Sequence, residues 1–161
     1  MAREIQKRED LLRDAHALVP RLLVRIADGQ AGVDVLAGFR GESLSLYFGD
    51  DPAYHFNAAG ELRRAFVADR LVKAERGRLV ALERRRSADE VILERRDLDE
   101  ASHRRLLSEL TRRVDGLRAA LNANEFIVCG QFPPDGDALM RLVQWLKKHQ
   151  PIAVATSPRI G

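Results

Sequence analysis

Between Ser43 and Arg86 the chain is a succession of short extended-pattern segments, LSLYFG, YHFN, LRRAFV, RLVKAE and RLVALER, each cut off by residues that turn a backbone. The breaks are Gly49-Asp50-Asp51-Pro52, Asn57-Ala58-Ala59-Gly60, Ala68-Asp69 and Arg76-Gly77. Glycine and asparagine accept positive φ, proline fixes φ, and aspartate closes turns through its own side chain. Alternating strands separated by such turns are the signature of an antiparallel meander.

Two-residue turns at Ala68-Asp69 and Arg76-Gly77 also fix the register, because residues opposite each other in a hairpin share a face. One face then pairs Ala65 with Val72, Ala74 with Leu79, Val72 with Ala81 and Arg70 with Glu83. Its apolar part is small and continuous, suited to a helix lying close against it. The other face pairs Phe66 with Leu71 and Leu71 with Leu82, a stripe bordered by Arg64, Lys73 and Arg84. That second face is the candidate binding surface.

The flanking segments supply helices. Residues 2–28 carry Ile5, Leu12, Val19 and Ile26 seven apart, with Leu11, Ala15, Leu18 and Leu22 beside them, which predicts a helix kinked near Pro20 and ended by Asp28-Gly29. Val33 to Arg40 reads as a first strand and Val91 to Arg95 as a later one. Asp99 can cap a helix reaching about Asn122, with His103, Leu107, Leu110, Val114, Leu117 and Leu121 at alternating spacings of four and three. The last quarter reads β-α-β: Phe126–Phe132, a helix from Asp137 to about His149, and Ile152–Thr156, with the two strands able to lie parallel. The expectation is a single α+β domain over 1–161, its meander of about five to seven strands packed by a kinked N-terminal helix and a long central helix.

A chain of 161 residues, 45% hydrophobic and 32% charged, falls in the range of ordinary globular domains. The single Cys129 excludes an internal disulfide, reads as a small core residue, and fits a reducing, cytoplasmic compartment. The first residues lack an apolar signal core, and the run from Ala15 to Ile26 is interrupted by Pro20, Arg21 and Arg25, so neither secretion nor a membrane span is expected. Net charge is +3, with the excess in residues 54–118, where 16 basic side chains meet 12 acidic ones. These alternate in sequence, which dilutes the field.

Chemistry-bearing motifs are sparse. Asp50, Asp51 and His55 place two carboxylates and an imidazole around one strand connection, a set able to bind a divalent cation, although Asp-Asp-Pro is also ordinary turn chemistry. Lys73-Ala74-Glu75-Arg76-Gly77 lacks the acidic residue before glycine found in nucleotidyltransferase motifs. Gly130 to Asp137 lacks the spaced glycines and lysine of a phosphate loop and contains two prolines. No cofactor motif is present, and the absence of a complete catalytic set weighs against an enzyme. Arg63, Arg64, Lys73, Arg84, Arg85 and Arg86, with Phe66, Tyr47 and Tyr54 for stacking, form a possible nucleic-acid surface. Trp145 reads as a packing residue of its helix. The leading expectation is a non-catalytic binding or protein-interaction module that holds a protein partner, or itself, through the second sheet face (Arg64, Phe66, Leu71, Lys73, Leu82, Arg84) or the N-terminal helix. Nucleic-acid binding and metal-dependent hydrolysis at Asp50, Asp51 and His55 are the alternatives.

Overall fold

The computed structural model describes residues 17–28, 30–49, 51–67, 70–87 and 90–155. Among these, the strands are β1 (Arg21–Asp28), β2 (Ala31–Arg40), β3 (Ser43–Phe48), β4 (Ala53–Phe56), β5 (Glu61–Val67), β6 (Arg70–Glu75), β7 (Arg78–Ser87), β8 (Glu90–Asp97), β9 (Phe126–Phe132) and β10 (Ala153–Val154). Helix α1 (Glu100–Asn122) lies between β8 and β9 in sequence, and α2 (Ala138–Lys148) between β9 and β10. The architecture is α+β, with one ten-stranded sheet that is antiparallel except where the short β10 joins it.

Strands β1 to β8 pair in sequence order, each antiparallel to the next, as the turn chemistry demands. The predicted register holds: Ala65 faces Val72 and Phe66 faces Leu71, then Leu71 faces Leu82, Val72 faces Ala81 and Ala74 faces Leu79. Ala68-Asp69 lies outside the described residues. At the β6–β7 turn both Arg76 (φ 52°) and Gly77 (φ 80°) are left-handed, the backbone that matches a two-residue turn to the twist of its strands.

The sheet's inner face forms the core. Leu22, Val24, Ile26, Leu44, Leu46, Tyr54, Phe56, Leu62, Ala65, Val72, Ala74 and Leu79 are buried there beneath the helices. Asp99 caps α1, its carboxylate accepting from Ser102 N–H at 2.7 Å, and Leu110, Val114, Leu117 and Leu121 face inward. Asn124 (φ 58°) ends the helix in a left-handed turn, with Glu125 N–H donating to Ala120 O at 2.8 Å and Asn124 N–H to Leu121 O at 3.2 Å. Helix α2 contributes Ala138, Leu142, Trp145 and Leu146, and Trp145 packs on Phe56 with ring centroids 5.2 Å apart, the packing role expected of it. Arg118 joins the helices by donating to Leu146 O at 3.1 Å.

Four expectations are corrected. The antiparallel meander has eight strands, β1 to β8, rather than five to seven, because the segment read as helix adds a strand at its start. Residues 21–28 form strand β1, not the end of a helix; residues 2–16 of that predicted helix lie outside the described residues. Leu22, Val24 and Ile26 point into the core while Leu23 and Arg25 point away, and pairing with β2 along its whole length satisfies backbone groups that a helix would have bonded internally. Pro20 therefore precedes a strand, and Val19 is exposed. The C-terminal segment is not a parallel crossover unit. β9 joins the sheet antiparallel to β1, whereas β10 runs parallel to β5, pairing Ala153 with Glu61 and Val154 with Leu62. Ala155 N–H donates to Leu62 O at 2.9 Å and its carbonyl accepts from Gly77 N–H at 3.0 Å, so β10 fills the splay between β5 and the β6–β7 turn. Cys129, expected in the core, is exposed on β9, over which neither helix extends enough to bury Val128.

Candidate functional site

The outer face of the sheet carries two neighbouring rows of side chains, each running across consecutive strands. One row is apolar, with Leu23, Leu36, Tyr47, Ala53, Phe66, Leu71 and Leu82 each opposite the next. The adjacent row is polar: Ser45 faces His55, His55 faces Arg64, and Arg64 faces Lys73. Both rows follow from the period-two alternation of strands whose inner positions are committed to the core.

The apolar row divides into a covered half and a more open half. Leu18 sits on the outer face, packed with Leu36, Tyr47 and Ala53 and, in part, Leu23. It lies directly over Gly38, where an added Cβ would come within 2.5 Å of it. Among the described residues the stripe is more open on β5 to β7, where Phe66 is 45% exposed and Leu71 and Leu82 are half-buried, while Val80, opposite Lys73 on the same face, is buried. Arg64 is exposed and Lys73 half-buried beside them. The structure thus brings Arg64, Phe66, Leu71, Lys73 and Leu82 together on one face. Arg84 lies on β7 opposite Leu93.

His55 is the titratable centre of the polar row. Its Nδ1 lies 2.7 Å from Ser45 Oγ in a hydrogen bond, and its ring meets Tyr47 edge-on at 5.6 Å. Burial, reinforced by Arg64, Arg63 and Arg40, lowers its pKa to about 4, so the imidazole is neutral near pH 7. Arg63 is the extra residue at the register shift between β4 and β5; among the described residues its buried Nε has no hydrogen-bond partner, and burial pulls its pKa down. These arginines make the polar row a cationic border to the apolar one.

The other sequence candidates are placed differently. Asp50 lies outside the described residues. Asp51 is exposed on the β3–β4 connection, its N–H donating to Phe48 O at 3.2 Å, while His55 is engaged with Ser45. Among the described residues no three His, Cys, Asp or Glu side chains converge as a metal site would require. Tyr54, considered for base stacking, is 1% exposed in the inner core, and Tyr47 is 8% exposed under Leu18, so neither offers a ring face to a base. Among the described residues no helix is long and apolar enough to cross a membrane.

Sequence reasoning missed that the apolar row continues through Ala53, Leu36 and Leu23 onto β1. The alternation of Ser45 and Tyr47 with Leu44 and Leu46 already placed part of it, but reading residues 21–28 as helix hid the rest. No family model, curated protein or solved structure matches this chain.

Proposed function

We propose that the chain is a non-catalytic protein-interaction module that takes an apolar, acidic segment of a partner protein across the outer face of β5 to β7. The observation that carries this reading is the Phe66–Leu71–Leu82 stripe, open at Phe66 and bordered by Arg64 and Lys73. Apolar anchors give such a surface its affinity, and the cationic border selects carboxylates.

Selection of displayed peptides against the purified chain tests this. Enriched sequences are expected to combine apolar residues with Asp or Glu, and to lose at least tenfold in affinity, about 1.4 kcal/mol, on Phe66→Asp. Binding that ignores Phe66→Asp and Arg64→Glu would remove the reading. Single-stranded RNA or DNA that binds at low salt, weakens steeply as salt rises and outcompetes the peptides would assign the face to nucleic acid instead.

A further inference from the structure

We propose that β9 pairs antiparallel with β9 of a second copy of this chain, continuing the sheet across a two-fold axis near the middle of the strand. The proposal goes beyond the outer-face reading and does not depend on it. β9 ends the sheet: β1 lies on one side, and among the described residues no strand lies on the other. Unpaired ladder groups on such an edge are a template for another strand, which proteins ordinarily discourage with charge, proline or cover.

The two edges of this sheet are treated differently. β8, EVILERRD, carries five charged residues in eight, whereas β9, FIVCGQF, carries none in seven. β9 also carries exposed apolar side chains on both faces, although Phe126 at its start packs against the core. Ile127, opposite Arg25, is 63% exposed; Val128, opposite the buried Val24, is 46% exposed; Phe132, opposite Arg21, is 46% exposed. A register shift against β1 between Leu23 and Val24 bends the strand but adds neither charge nor proline.

A second copy fits this edge through its ends and its composition. Glu125 is exposed just before the strand, and at the far end the Arg21 guanidinium lies over the Phe132 ring, 4.5 Å from its centroid. Antiparallel self-pairing brings the Glu125 end of each copy beside the Arg21–Phe132 end of the other, opposite charges at both ends, while the uncharged middle meets itself. The same patch serves both subunits, so the contact closes at two. An interface built on one strand pair belongs at the small end of stable interfaces, so association at about micromolar concentration is expected.

Sedimentation of the 161-residue chain over a range of concentrations is the test, with three variants. Wild type is expected to be a dimer that dissociates on dilution. Ile127→Lys, an exposed edge charge, is expected to be monomeric with an unchanged melting curve. Cys129, in the middle of the strand and exposed, should join to its counterpart through a short bis-maleimide, whereas Val19→Cys in a Cys129→Ser background should not. A wild type monomeric at all concentrations overturns the proposal, as does a dimer that survives Ile127→Lys or fails to link through Cys129. A dimer abolished by Phe66→Asp but not by Ile127→Lys would assign self-association to the outer face and remove β9 from it.

Discussion

His55 shows how a single residue ties the outer face to stability. Its folded pKa of about 4 lies below the ordinary 6.5, so between those values the unfolded chain binds more protons than the folded one. Its stabilising contribution is complete above pH 6.5 and is lost as pH falls toward 4. At about 1.4 kcal/mol per pH unit the loss is bounded near 3 kcal/mol. Carboxylates add their own acid sensitivity at lower pH, as at Glu109, whose pKa is lowered by its bond to Arg112. Comparing the wild type with His55→Gln isolates the imidazole. Unfolding free energies measured from pH 7 to pH 4 should decline less steeply in the variant, and parallel declines would show that His55 is not the source.

At the scale of elements, α1 depends on its cap. Asp99→Ala removes the acceptor of the Ser102 N–H and is expected to cost about 1 kcal/mol, with Asp99→Asn costing less because asparagine caps nearly as well. Denaturant midpoints for the two variants check this order. This helix, its cap and its end were legible because four inward leucine and valine positions repeat with helical period over more than twenty residues. β1 was not, because eight residues satisfy two periods at once. Leu18, Leu22 and Ile26 have helical spacing, yet Leu22, Val24 and Ile26 also alternate, and the strand wins by pairing on both sides, with β2 and with β9. The local hairpins gave the outer stripe its register from the turns alone. The exposed edge was illegible for another reason, since nothing within FIVCGQF says that β1, about a hundred residues earlier, will be its neighbour while Ile127, Val128 and Phe132 stay exposed.

For the whole molecule, the question is whether sheet and helices melt as one cooperative unit. Leu117 is fully buried in the core shared by both helices and the sheet, and Leu117→Ala is expected to cost 2–5 kcal/mol. Trp145 is the only tryptophan, so its fluorescence reports the seating of α2 on Phe56 while far-ultraviolet dichroism reports the bulk of the structure. If 1–161 behaves as a single domain, both signals shift together in the variant; separate midpoints would divide it.

The sheet order has a consequence for how the chain comes off the ribosome. Synthesis completes β1 to β8 before any part of α1 exists, and each strand finds its partner immediately behind it, so the ladder can assemble as it emerges. Among the described residues, the helical cover over its inner face, with Val24, Leu46, Tyr54 and Val72, arrives only when Leu110 to Leu121 have been added. β9 closes onto β1 later still, and until it does, β1 is itself an open edge. The stage at which that face waits for its helices is the one when holding by a chaperone matters most, and premature termination within α1 would release a fragment without its helical cover.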